Sequence, residues 1–354
     1  MVENFTIIGT TSPRAGNRQI AFWLLACSAV IFAMVALGGL TRLTHSGLSM
    51  VDWKPLTGWL PPLGLEAWQL EFENYQRFPE YQKLNQGMTL AEFKSIFWFE
   101  FSHRLLGRGI GVLYFVPFVF FLLRRRIDRQ LLPRLLFLFV LGGLQGVLGW
   151  WMVKSGLVER PDVSHYRLTA HLGMAVLIMG YMVWLAVGLL LPRAVIADDR
   201  LIGLSRFAQV MALLVFVVIL SGGLVAGLDA GFAYNTFPLM QGRLMPEGLF
   251  DLTPWYRNFG ENLITVQFDH RWLALIALLA VVALWQQALR RGVTGSLRSA
   301  FHLVLILAVI QVGLGIATLV LVVPLSLAAL HQAAALALFS MIVIAARATR
   351  QAAG

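Results

Sequence analysis

Four histidines carry the sequence's chemistry: His103, His171, His270 and His331. Each lies near the start of a long apolar stretch that begins on the same side of a membrane. An ionisable ring at the mouth of a membrane helix is costly without a partner. Two imidazoles facing across a helix bundle are a standard way to hold a haem iron. Any one of the four could instead be a hydrogen-bonded packing residue or a proton relay. Four at matching places favour ligation, as His103 with His171 and His270 with His331.

Other groups gather around them. Arg104 and Arg271 follow His103 and His270 directly and could pair with haem propionates. Glu100 is three residues before His103, on the same helical face if the helix has begun by then. A carboxylate there could accept protons at a haem edge, or merely compensate a helix N-terminus. Asp269 adjoins its histidine and so points elsewhere; it is not the counterpart of Glu100. Glycines at 107, 109, 111, 142, 143, 146 and 149 would let a flat macrocycle lie close to backbone. Zinc fits poorly, since no cysteine or acidic cluster completes a tetrahedral set. Cys27 is the sole cysteine and reads as core packing. His45 and His165 fall in expected outer loops, and His302 falls at an inner end. All three read as ordinary, although His165 is near enough to His171 to influence a site.

The elements that must position these groups are membrane helices. Of 354 residues, 58% are hydrophobic and 13% charged, and mean hydropathy is +0.73. A soluble chain carries about 25% charged residues. Spans of roughly 20 apolar residues are predicted near 20–40, 103–123, 133–153, 169–191, 207–227, 269–289, 301–322 and 327–346. The net charge of +10 does not indicate nucleic acid. Most of it lies in short loops, where the positive-inside rule puts it. Arg14 and Arg18 precede the first span; Arg124–Arg126, Arg129 and Arg134 separate the second and third. Arg193, Arg200 and Arg206, then Arg290, Arg291 and Arg298, then Arg347 and Arg350 mark the same side. Lys154, Arg160, Arg167, Arg243 and Arg257 lie on the other. Both termini are therefore predicted to be cytoplasmic. The stretch Met1–Gln19 does not read as a transit peptide, which favours a bacterial inner membrane. One or two short outer helices are expected between Glu66 and Phe97.

The chain also repeats. Gly38-Gly39-Leu40 returns as Gly222-Gly223-Leu224, and His103-Arg104 as His270-Arg271. Gln145 to Gly149 returns as Gln311 to Gly315, and His171 as His331. The predicted fold is all-α: eight transmembrane helices as two pseudo-symmetric four-helix bundles in parallel orientation. One bundle would span 1–191 and the other 207–346, with 192–206 as a cytoplasmic linker.

With these residues in view, the chain resembles the haem A synthase family over nearly its whole length. The segments that carry the resemblance are Gly38-Gly-Leu-Thr-Arg42, Ser46-Gly-Leu-Ser49, Trp53-Lys-Pro55 and Glu100-Phe-Ser-His103-Arg104. Gln145-Gly-Val-Leu-Gly149-Trp-Trp, Ala233-Tyr-Asn-Thr-Phe-Pro238, His270-Arg271-Trp272 and His331-Gln332 complete the set. The resemblance implies an oxidoreductase acting on the C8 methyl of haem O, giving haem A for terminal oxidases. It further implies that His270 and His331, with Arg271, hold a haem b cofactor. His103, His171 and Arg104 would surround the substrate haem, with Glu100 as the catalytic group. The implied partners are the lipid bilayer and haem O synthase; a homo-oligomer and the electron-transfer partner stay open. Some bacterial relatives carry outer-loop cysteine pairs, which this chain lacks. Two other readings remain: a diheme b-type electron carrier, which the histidines alone would equally suit, and a transporter, suggested only by the repeat.

Overall fold

The computed structural model describes residues 15–54, 57–158, 161–194 and 198–354. Arg14, Pro55, Arg160 and linker positions 195–197, used above, lie outside the described residues. Eleven α-helices are found among the described residues, with no strand beyond one isolated bridge between Met240 and Arg243. Eight are long and apolar enough to cross a membrane: α1 (Ala15–Leu43), α4 (Leu90–Leu123), α5 (Leu132–Gly156), α6 (His165–Leu190), α7 (Asp199–Gly227), α9 (Leu263–Arg290), α10 (Gly295–Val320) and α11 (Leu325–Ala352). The short helices α2 (Leu65–Gln76), α3 (Pro79–Lys83) and α8 (Asn258–Glu261) belong to the two large loops. This is a multi-pass membrane protein.

All eight predicted spans are present, but several begin earlier than hydropathy suggests. Helix α4 starts at Leu90, not near 103, behind a reciprocal cap in which the Glu92 amide donates to Thr89 Oγ1 and the Thr89 amide donates to Glu92 Oε2. Three turns of amphipathic helix therefore precede His103, and Glu100 does share its face. Helix α6 begins at His165, so that histidine is the first residue of a helix rather than part of a loop. Helix α7 starts at Asp199, within the stretch expected to connect the halves.

Helices α1, α6, α7 and α11 make the centre, with α4 and α5 flanking one side and α9 and α10 the other. Lipid tails are as apolar as leucine, so helices associate through close packing and interhelical polar contacts. Helix α6 shows both. A Cβ on Gly173 would come within 2.7 Å of Leu220 on α7, and one on Gly180 equally close to Phe339 on α11. Overfilling such a contact typically costs ~1–3 kcal/mol. Gln332 on α11 donates to the carbonyl of Val35 on α1 (3.0 Å), and Gln351 donates to Gly188 and Leu191 at the end of α6. One continuous apolar core runs through both halves.

The arginine-rich ends meet at one face. Arg126 bonds Gln19, Arg291 bonds the carbonyl of Arg200, and Arg193 donates to that of Gly354. At the opposite face, Met50, Trp68, Tyr75, Phe93, Phe97 and Phe101 form a second small core. It fixes α2 and the first outer loop against the extra turns of α4.

Candidate functional site

Helix α4 presents Glu100, His103, Arg104, Gly107 and Arg108 to a cavity of about 1220 Å³. That exceeds the roughly 300–1,000 Å³ of ordinary small-molecule sites. His171, His270, His331 and Arg271 line the same cavity, so it draws on both halves. Gly111, Gly142, Gly143 and Gly146 line it too, and a Cβ on any of them would meet open space. The glycine-rich faces of α4 and α5 thus leave a slot between helices that touch only sparsely.

Each histidine ring lays its Cε1 edge on one glycine of a neighbouring helix. Built Cβ positions fall 3.0 Å from His103 at Gly38, 2.9 Å from His171 at Gly149, 3.1 Å from His270 at Gly222 and 2.8 Å from His331 at Gly315. The close approach holds the rings by contact, and any side chain there would displace them. The Nδ1 atoms of His103, His171 and His331 are buried without a hydrogen-bond partner. Nδ1 of His270 meets Ser221 Oγ at 2.8 Å, which leaves its Nε2 for a ligand. The rings of His270 and His331 stand 6.4 Å apart, centre to centre, and perpendicular. Two imidazoles this close could share one iron. Among the described residues no group of three or more His, Cys, Asp or Glu could hold a metal. The two histidines would hold the iron of a haem, and the glycine-lined slot would give a flat macrocycle room.

Glu100 is only 3% exposed, and its carboxylate accepts three hydrogen bonds. Ser49 Oγ (2.8 Å) and the Met50 amide (2.7 Å) donate to Oε2, and Arg104 Nη2 (2.5 Å) donates to Oε1. Arg104 also donates to the carbonyls of Met50 (2.6 Å) and Asp52 (2.7 Å), and lies 5.6 Å over the Trp53 ring. The second half repeats this strapping with a neutral residue. Gln267 donates to the carbonyls of Ala230 (2.9 Å) and Tyr234 (3.1 Å). Arg271 donates to Tyr234 (2.7 Å), Thr236 (2.8 Å) and Gln267 Oε1 (3.2 Å). In both halves the residue three before the histidine and the arginine after it tie down an outer loop.

Residues 21–343 match the model of the cytochrome oxidase assembly protein family. The chain belongs to that family. Relatives are similar to it over almost their full length. It is 53% identical over 327 residues to a protein of Nitrosospira multiformis named heme A synthase, covering 92% of each chain. One of the same name from Nitrosomonas eutropha is 52% identical over 326 residues, again 92% of each. One from Parvibaculum lavamentivorans is 50% identical over 329 residues, 93% of this chain and 94% of that one.

The structure brings Glu100, Arg104, Arg271 and the four histidines to one cavity. It leaves His302 apart, bonded to Trp285 Nε1 at 2.9 Å. His45, read as ordinary, does line the cavity. Three groups were missed in the sequence: Ser49, Gln267 and Arg108. The constant step of 167 positions, from 103 to 270 and 104 to 271, also pairs 100 with 267 and was the signal for Gln267.

Proposed function

We propose that this chain is a haem A synthase, an oxidoreductase that converts the C8 methyl of haem O to a formyl group. The observation that carries this reading is the convergence of Glu100 and all four histidines on one glycine-lined cavity. Near-full-length similarity to proteins of that name agrees with it.

His270 and His331 would hold a haem b cofactor, which supplies electron transfer when bound. Ser221 fixes the orientation of His270, and Gly222 and Gly315 set both rings. His103 and His171 would flank the substrate haem, with Arg104 beside them, and Arg271 would lie with His270 and His331 at the haem b. Oxidation of a methyl group proceeds in successive steps, each of which releases protons, and a hydrated aldehyde finally loses water. Glu100 is the carboxylate beside that chemistry, held by Ser49, Met50 and Arg104 so that it cannot turn away. The neutral Gln267 leaves the second half without a carboxylate at the place that matches Glu100, which suits a resident cofactor. A diheme electron carrier would account for the histidines but gives no role to this asymmetry. The two bundles are read as pseudo-symmetric halves, and the arginine-rich face as cytoplasmic in a bacterial inner membrane. Haem O synthase is the class of enzyme that must hand over the substrate.

The test is the haem extracted from purified protein, read by pyridine haemochrome spectra and mass spectrometry. Formyl-bearing haem A beside haem b is expected. Chemically unchanged haem b alone, in cells that make haem O, would favour the carrier.

A further inference from the structure

Glu100, Arg104 and Arg108 follow one another at four-residue steps along α4, so they form one stripe facing the cavity. The two arginines are used differently. Arg104 spends its donors on two loop carbonyls and on Glu100. Arg108 makes one bond, from Nη2 to the carbonyl of Lys54 at 2.8 Å. Its Nε and Nη1 are buried and have no partner. Three of the five N–H donors of a guanidinium are therefore unmatched. Arg108 as a whole is half-buried, and buried donors left this way are costly unless an acceptor meets them.

Among the described residues no carboxylate makes an ion pair with Arg108. Asp52 and Glu71, on the loop and helix above it, both pair with Lys54, at 3.2 and 3.3 Å. Gly58 presses on the guanidinium from the loop side: a Cβ there would lie 2.6 Å from Nη2. Gly58 has φ +49°, so the tight approach uses a backbone shape that other residues rarely adopt. The loop thus clamps one side of Arg108, whose side chain lines the cavity. The step of 167 positions pairs Arg108 with Leu275, so the second half carries no such cation at this place.

We propose that Arg108 is the carboxylate-binding residue of the first half, whose unpartnered nitrogens receive a propionate of the substrate porphyrin. This rests on the assignment of the first half to the substrate. Arg104 keeps Glu100 and the loop in place, while Arg108 positions the substrate by its acidic edge.

The test uses the full-length holoprotein with its resident haem in place, titrated with haem O and with haem O dimethyl ester. Affinity is read by difference absorbance. Wild type is expected to bind the diacid about 10- to 100-fold more tightly than the ester, the range for a charge-assisted bond. R108Q should lose that preference by weakening the diacid alone, and R108K should recover part of it. Unchanged haem b stoichiometry shows that a variant is folded. The proposal is overturned if wild type fails to discriminate, a measurement that needs no variant. It is also overturned if the preference survives R108Q or is removed by R271Q instead. Failure of the underlying assignment looks different: haem O binding would then be indifferent to H103A and H171A.

Discussion

His270 on α9 and His331 on α11 hold their imidazole rings perpendicular and 6.4 Å apart. Neither ring is free to move, because Gly222 and Gly315 abut their edges and Ser221 takes one nitrogen. Substitution of either histidine by alanine is expected to abolish the bound haem b signal. The same substitution at His103 or His171 should leave it at full stoichiometry. Pyridine haemochrome quantification of the four purified variants checks this. Loss of the signal in all four would mean that the halves do not hold separate groups.

Glu100 and Gln267 stand at matching places, and exchange of one type for the other tests whether charge matters there. Glu100→Gln keeps the shape and, with its one carbonyl oxygen, can still accept either from Arg104 or from the Met50 amide. Loss of a proton acceptor should lower turnover about 10²- to 10⁴-fold, with resident haem b retained. Haem profiles and single-turnover rates give the readout. Normal haem A yield would remove Glu100 from the chemistry.

Much of this site was legible in the sequence, for a physical reason in each case. A bilayer demands about 20 apolar residues per span, so all eight spans appear as runs. The histidines stand out because a polar ring within such a run is rare, and their repetition pairs them. The start of α4 was hidden because its first turns are amphipathic and lie outside the apolar run, where hydropathy has nothing to register. The role of Gln267 was missed because Asp269, the nearer acidic residue, drew attention away from register. The open donors of Arg108 could not be foreseen. Which carbonyls the first outer loop gives to Arg104 and which to Arg108 depends on its tertiary path.

Gly149 and Gly142 lie on the same helix and separate two effects. A Cβ at Gly149 would sit 2.9 Å from His171 Cε1, whereas one at Gly142 meets nothing. Gly149→Ala should therefore displace the ring and weaken substrate-haem binding about tenfold or more, since an off-geometry ligand loses most of its bond. Gly142→Ala should leave stability unchanged, and Gly142→Leu should raise KM by filling the slot. Thermal melts and haem O titrations distinguish the cases; equal behaviour of Gly149→Ala and Gly142→Ala would show that the glycine contact does not set the ring.

The outer loop carries its own pH dependence through Glu80 on α3. This side chain is 4% exposed, and burial pushes its carboxyl up to about 8, against the opposing effect of the hydrogen bond from Tyr75. Tyr75 is itself held by Asn85 at 2.7 Å. The folded state therefore keeps a proton that the unfolded carboxyl loses near its ordinary value of about 4.3. Stability from Glu80 is complete below that lower value and declines as pH rises, until the charge is forced into the small core above about 8. Hydrogen exchange of α2 and α3 should accelerate, beyond its intrinsic pH dependence, as pH rises from about 4.3 to about 8 in wild type, and level off above that. Glu80→Gln, neutral throughout and able to accept from Tyr75, should remove that excess. An excess that persists in the variant would assign the titration to another group.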